Sequence, residues 1–563
     1  MRQFWFFAPL ILSYVLVSLS PGQTSSACPL PAAQRYTLLQ TFGTNGQGPN
    51  DPQFSGIIAQ GRDGNMFSTT PDTWTGGEGT VFKITSSGGV TTLHSFSGTD
   101  GAESVSGLTL ATGGHYWGTT ARGGLYGYGT IFEMTSGGAL TTLHDFTGGA
   151  DGGSPGAPPI EGIDGNFYGT TSVGGKVGSN GTVYRIAASG SFSTLHSFGA
   201  TSQGNPNGPL VQGSDGFLYG TTFYGGKNGA GTVFKISPSG YFKKLANFGG
   251  IFGENPSGPL IEANNGNLYG TATRGGTGGG GVLFKVSTLG TITILHNFPP
   301  WGPATPGNEG SYPYAGLVQA TDGNLYGTNF LGGRYGFGVL FCYSPGTLQP
   351  GQTRFNLLYD FFYSTGAYTQ VTLLQHTNGK LYGDTSGGGL PSNGFGAFYS
   401  FDAGLNPFIS IMPRARRVGH GVKILGQSFT GATAVSFNGT QASFVVVSDT
   451  FIKARVPNGA TSGFLTVKTP SGTLTSNRTF LVQPQITGFS PGVGAVGTTV
   501  VITGISLKQT SRVTLGSVLA TNVSVDSDSQ ITVSVPPGAQ TGKIGITTTG
   551  APVYSNGAFT VTP

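Results

Sequence analysis

Charge is the first thing this chain is short of: Asp, Glu, Lys and Arg make up 9% of its 563 residues, against about 25% in an ordinary globular domain. Disordered chains are rich in charge and poor in aromatics, whereas 12% of residues here are Phe, Trp or Tyr, so disorder is excluded. Windows of Ala, Glu, Lys and Leu, from which amphipathic helices are built, are also missing, and almost no helix is expected. Basic residues are few and cluster only at Lys243-Lys244 and at Arg414, Arg416 and Arg417, too little for a nucleic-acid partner despite a net charge of +5. Cysteine is nearly absent. With only Cys28 and Cys342, no disulfide framework is expected and stability is assigned to packing. Beyond the first twenty residues no apolar run reaches 18, which leaves no transmembrane span in the mature chain.

The one early apolar run, Phe4 to Leu19, follows a lone Arg2 and precedes Ser25, Ser26 and Ala27. That pattern reads as a secretory signal peptide over 1–27, cut after Ala27, and so as a secreted or cell-surface protein. Cys28 would stand at the new N-terminus, a position open to lipidation, although Ser25 occupies the place where a lipoprotein signal carries a Leu-like residue.

What is abundant is glycine, 101 residues, and repetition. The stretch Asp164 to Ile186, DGNFYGTTSVGGKVGSNGTVYRI, recurs in seven units headed by Asp63, Gly113, Asp164, Asp215, Asn265, Asp322 and Asn378. A repeat of about 50 residues decides the fold before any single motif does. Each unit divides into four strands. An apolar pair such as Leu210-Val211 runs into an Asp-Gly or Asn-Gly hairpin dipeptide. Leu218 to Thr222 follows, then a Gly-Gly loop, an alternating strand such as Gly231 to Ile236, and a Thr-Leu-His-x-Phe stretch. Four strands in such a unit make one propeller blade. A spare fourth strand, Tyr36 to Phe42, precedes the first unit, and the seventh unit lacks one. The N-terminal strand is therefore expected to complete the last blade and remove the open edge. The expected fold is all-β, a seven-bladed β-propeller over 35–405 followed by two immunoglobulin-like β-sandwiches.

Through phrases such as DGNLYGTT and GTVFKI the repeats resemble the GloVer tandem repeat of secreted bacterial proteins, which implies a repeat type and no assigned chemistry. The second unit departs most, with Gly113-Gly114-His115 in place of Asp-Gly-Asn. From Pro407 the period breaks. Two copies, 406–483 and 484–563, share paired phrases such as Val422 to Gly426 and Val500 to Gly504, and both resemble IPT/TIG domains. In extracellular bacterial proteins that resemblance implies spacers or interaction modules.

Several motifs are read as structural. Asp63, Asp164, Asp215 and Asp322 sit at identical turns of separate blades, so they serve the turns and do not converge as a carboxylate pair. His94, His144, His196 and His296 share a register on separate outer strands, which suits a repeated hydrogen bond rather than a metal set. Gly152-Gly153-Ser154-Pro155-Gly156 fits G-x-S-x-G, but Pro155 has no N–H for an oxyanion hole. The run Gly276 to Gly281 has no helix after it and is no dinucleotide loop.

The loop between second and third strands carries a cation in five consecutive units: Arg122, Lys176, Lys227, Arg274 and Arg334. Exposed rings accompany them: Tyr126, Tyr128, Tyr224 and Tyr335 on these loops, Trp301 on the expanded connection Pro299 to Gly316, and also Trp74, Phe223, Tyr312 and Tyr314. Cations and rings on one rim would suit a glycan, an acidic one above all. The leading reading is thus a non-catalytic surface or extracellular binding protein whose rim takes a polysaccharide or a surface protein, with no catalytic residue, cofactor or metal implied. The alternative is a carbohydrate-active enzyme, a polysaccharide lyase or glycoside hydrolase, using carboxylates outside the repeat pattern: Glu103, Glu161, Glu254, Glu262, Glu309, Asp72 or Glu78.

Overall fold

The computed structural model describes residues 27–29, 35–43, 56–71, 77–176, 180–199, 203–302, 305, 307–348, 352–389 and 394–563. The expected leader, up to residue 26, lies outside them, as do Asp72 and Trp74. The chain is all-β and carries no α-helix among the described residues. Seven four-stranded antiparallel sheets succeed one another up to Phe401. Six draw all four strands from one stretch of chain, as in Ile160–Glu161, Phe167–Thr171, Thr182–Ile186 and Phe192–Ser197. The seventh takes Leu374–Gln375, Leu381–Thr385 and Ala397–Phe401 from one end and Tyr36–Thr41 from the other. Ile57 in the first sheet bridges both Thr372 and Gly107, so the first sheet stands between the seventh and the second and the ring is closed.

The repeated Tyr-Gly-Thr-Thr phrase has a packing reason. The glycine at the middle of the second strand lies under the aromatic ring of the third, so that a Cβ on Gly118 would meet Phe132 at 2.4 Å, and one on Gly220 would meet Phe234 at 2.6 Å. Glycine leaves that space to the ring in six of the sheets, and the first carries Ser68 there instead. The heading aspartates do shape their turns: the Asn65 N–H donates to Asp63 Oδ1 at 3.1 Å. They also take the hydroxyl of the second-strand tyrosine, Tyr168 to Asp164 at 2.7 Å and Tyr219 to Asp215 at 2.6 Å.

Neighbouring sheets are tied at both radii. At the inner radius, the last residue of each innermost strand hooks the turn of the preceding sheet. Glu161 accepts the Thr112 N–H at 2.6 Å, Gln212 that of Ile163 at 2.8 Å, and Glu262 that of Ser214 at 2.8 Å. Gln319, Gln375 and Gln60 do the same to Asn264, Thr321 and Thr377. Leu110 has no polar atom to offer in the second sheet, and there Arg62 donates to the Thr112 carbonyl instead, at 2.7 Å. At the outer radius the repeated histidines are structural. His94 meets Asp100 at 2.7 Å, His144 meets Asp151 at 3.1 Å and His296 meets Glu309 at 2.9 Å. In addition His144, His196 and His296 stack flat on Phe192, Phe242 and Phe355 of the next sheet, with centroids 4.0, 3.8 and 4.1 Å apart.

One expectation is overturned. Cys28 and Cys342 form a disulfide across a sequence separation of 314. Ring closure carries the N-terminal segment past the sixth sheet, where the Asn356 amide also donates to the Cys28 carbonyl at 3.2 Å. The Cys28 sulfur is therefore committed to a bond that excludes lipidation.

After the ring come two sandwiches of like topology. In the first, Ser410–Met412, Gly421–Leu425, Phe451–Arg455 and Phe444–Ser448 form one sheet; in the second, Gln485–Ser490, Thr499–Ile505, Gln530–Ser534 and Thr521–Val525 repeat that order. The first is docked under the ring and is no free spacer. Arg414 Nη1 lies 2.6 Å from Glu262, Thr450 donates to the Arg62 carbonyl at 2.7 Å, and Gln427 donates to Thr377 at 2.8 Å. Burial alone would raise the Glu262 carboxyl, but Arg414 and Ser214 more than offset it and hold it below the usual range. Replacing Arg414 by Ala strands that buried carboxylate. The loss is discounted because the Arg414 side chain is 24% exposed, so about 2–3 kcal/mol is expected. Faster proteolysis between ring and first sandwich would report it, and unchanged cleavage would sink the idea.

Candidate functional site

The face opposite the sandwiches carries the loops between second and third strands. Each pairs with the connection leading into its own sheet, as in Ala102 with Arg122, Gly153 with Val173, Glu254 with Arg274 and Ser311 with Leu331. One residue further along each connection, six non-glycine residues stand in the left-handed region: Glu103 (φ 53°), Ser154 (48°), Asn205 (58°), Asn255 (58°), Tyr312 (60°) and Tyr368 (64°). Both backbone groups of each are engaged. The Ser154 N–H donates to the Tyr128 carbonyl of the preceding sheet at 2.8 Å, while its own carbonyl accepts the Ser172 N–H at 3.2 Å. Such residues cost of order 1–3 kcal/mol apiece and persist where the surroundings over-determine them, commonly at binding sites. Here they ring the channel mouth.

That mouth holds a cavity of about 370 Å³ lined by Glu103, Arg122, Ser154, Ser172, Phe223 and Tyr314, among others. Its walls differ. On one side Arg122 Nε lies 3.2 Å from Glu103 Oε2, with the Arg122 side chain 70% exposed. So open an ion pair contributes little to stability and stays available to a ligand. On the other side the half-buried Phe223 and Tyr314 present rings, and the aromatic surface continues from Tyr314 to Phe330 at 5.3 Å and on to Tyr368 at 5.2 Å. A flat apolar wall facing a donor–acceptor pair can stack the C–H face of a sugar and hydrogen-bond its hydroxyls.

The five loop cations do not converge. Arg122 and Arg274 precede the Gly-Gly pair and lie on the short ladder beside the connections. Lys176, Lys227 and Arg334 follow it, and their backbone N–H groups are held by Ser197, Asn247 and Asp360 at the ends of the outer strands. Only Arg122 of the five lines the mouth. Tyr126, Tyr128, Tyr224, Trp301 and Tyr335 are all exposed. Tyr224 meets Phe223 edge to face at 4.8 Å, which joins it to the mouth, while Tyr335 lies under the Arg334 guanidinium at 5.6 Å. Of the alternative carboxylates, Glu161 and Glu262 serve the opposite face, and Glu309 holds His296. Among the described ones, Glu103 alone lines the cavity.

Fold and mouth together define a class: a closed ring of glycine-rich four-stranded sheets, open through its loops on one face and floored by a sandwich on the other. The chain belongs to the Gloeobacter/Verrucomicrobia repeat family, whose model matches residues 29–212 and 157–399. An IPT/TIG domain model matches 484–561. No curated protein matches the chain. Among solved structures, a surface glycan-binding protein from Prevotella bryantii is similar at 15% identity over 26% of this chain and 38% of its own, with a TM-score of 0.21. SGBP-B from a complex xyloglucan utilization locus in Bacteroides uniformis is similar at 20% identity over 27% and 48%, with a TM-score of 0.15. A fungal alcohol oxidase in complex with copper is similar at 14% identity over 77% and 99%, with a TM-score of 0.44. The chain spans less than half the length of the first two. Likeness at this level carries nothing about chemistry to this chain.

Proposed function

We propose that this is an exported, non-catalytic carbohydrate-binding protein that holds a polysaccharide at the loop-side mouth of its ring. The observation that carries the reading is the two-walled cavity, with Phe223 and Tyr314 facing Arg122 and Glu103. In this reading Arg122 is the inner anchor, and Lys176, Lys227, Arg274, Arg334 and the exposed rings form an outer rim that a longer chain would reach. The Cys28–Cys342 disulfide fits an extracellular or surface location, since such bonds persist in oxidising compartments. We take the working division as a leader over 1–27, the ring over 35–405 and sandwiches over 406–483 and 484–563. Glu103, the carboxylate that lines the mouth, is paired with Arg122, so it can accept from a sugar hydroxyl beside an arginine donor.

The test is a screen of neutral and acidic polysaccharides, with product release followed in the same samples. Arg122→Ala and Phe223→Ala should each weaken binding at least tenfold, about 1.4 kcal/mol, while Lys176→Ala and Lys227→Ala change it less. Equal effects of all four would displace the site to the rim, and released reducing ends or unsaturated sugars would overturn the non-catalytic reading.

A further inference from the structure

A second space lies at the floor of the ring, opposite the mouth and independent of the reading above. Two cavities of about 270 and 370 Å³ lie between the innermost strands and the first sandwich, and both are lined by Thr109, Leu110, Ile411, Met412, Arg414 and Arg478. Aliphatic side chains such as Ile160, Val211 and Leu374 form much of the wall. Two guanidinium groups therefore line a largely apolar recess. Their situations differ.

Arg414 is committed. It donates to Glu262 at 2.6 Å and to the Thr479 carbonyl at 3.3 Å. The Arg478 guanidinium has no hydrogen bond or ion pair among the described residues, and the half-buried residue lines both cavities. The acids nearby are already engaged. Glu262 accepts from Arg414 and Ser214, and Glu161 uses both oxygens on the N–H and hydroxyl of Thr112. Burial, followed by the neighbouring Arg414, brings the Arg478 group down to about 10, and Glu262 restores only part of this. The group remains charged at neutral pH, with no hydrogen-bonded counter-charge among the described residues. A charge among apolar walls without a hydrogen-bonded counter-charge is unfavourable, and in proteins such charges tend to be paired.

We propose that the chamber is an oxyanion site, in which the guanidinium fork of Arg478 takes a carboxylate, sulfate or phosphate group. Arginine suits the task because its planar donors match two oxygens of such a group at once. Two sources share this chemistry, an inorganic oxyanion and the carboxylate of a uronic acid.

The experiment uses the full mature chain and reads thermal unfolding in sulfate, phosphate, acetate and glucuronate, with ionic strength held constant by chloride. The wild type should show a saturable rise in Tm with at least one of these. In Arg478→Gln the rise should be lost or need at least tenfold more anion. Should that variant not fold, Met412→Trp fills the chamber while leaving Arg478 in place, and it should abolish the same response. Saturation by sulfate or phosphate alone identifies an inorganic ion, saturation by glucuronate a sugar acid, and either upholds the site. A rise of equal size in wild type and variants, or none in the wild type, overturns it.

Discussion

Replacing Cys28 and Cys342 by serine is expected to lower the unfolding free energy by about 4–6 kcal/mol, the value that loop-closure entropy assigns to a cross-link enclosing some three hundred residues. The bond spans 314 positions, almost the whole ring, so nearly every unfolded conformation of the ring is restricted by it. It also acts at a particular place. The segment before Tyr36–Thr41 is tied to the sixth sheet, and that strand completes the seventh. Without the tie, the strand keeps its ladder with Ala397–Phe401, the flat stack of Tyr36 on Tyr359 at 4.1 Å, and the Tyr36 hydroxyl bond to the Thr365 carbonyl at 2.5 Å. These hold the ring shut at rest but, unlike the cross-link, do not restrict the unfolded chain. Cys342 is fully buried and Cys28 only 4% exposed, so a reductant should act slowly until the seam opens. Denaturant titrations of wild type and double serine variant, with and without reductant, measure the effect. Coincident midpoints would sink the account.

The contrast with the sequence reading follows from where information is local. Asp-Gly and Asn-Gly dipeptides at a 50-residue period mark hairpins wherever they occur. The closing strand was legible because Tyr36 to Phe42 repeats the outer-strand phrase. The Cys28–Cys342 pair was not, since two cysteines so far apart look unrelated until the ring brings them together. Nor could the pattern reveal that Arg414 would meet Glu262, because docking of one domain on another leaves no periodic trace. At the mouth, Arg122 and Lys176 look equivalent beside their Gly-Gly pairs, yet they stand on opposite sides of the pair and face different radii. The six left-handed residues are Glu, Ser, Asn, Asn, Tyr and Tyr, so no residue type announces them. The usable signal was the proline that follows four of them, at Pro155, Pro206, Pro256 and Pro313. Ser154, dismissed as a nucleophile, is one of these positions and lines the mouth.

Asp384→Thr is expected to stabilise the protein by about 2–4 kcal/mol at neutral pH, the cost of a buried polar group left without partners. In the other six sheets this second-strand position is Thr69, Thr119, Thr170, Thr221, Thr271 and Thr328. Four of these hydroxyls donate to a carbonyl of the next sheet, for example Thr69 to Ser104 at 2.9 Å and Thr271 to Ala315 at 2.8 Å. Asp384 is 1% exposed, and neither of its oxygens has a hydrogen-bond partner. Burial therefore raises its carboxyl well above the ordinary value. The sign of the pH effect follows. Above the unfolded value of about 3.9 the unfolded chain releases this proton while the folded chain keeps it, so stability falls as pH rises toward the folded value, by up to about 1.4 kcal/mol per pH unit from this group. Asp384→Thr should remove that slope, and Asp384→Asn should remove it while retaining unsatisfied polar atoms. Parallel stability–pH curves for wild type and Asp384→Thr between pH 4 and 7 would refute the assignment. Asp384 lies in the same seventh sheet that the N-terminal strand completes. Since both changes act on one folding equilibrium, Asp384→Thr should recover about half of the stability lost by the double serine variant.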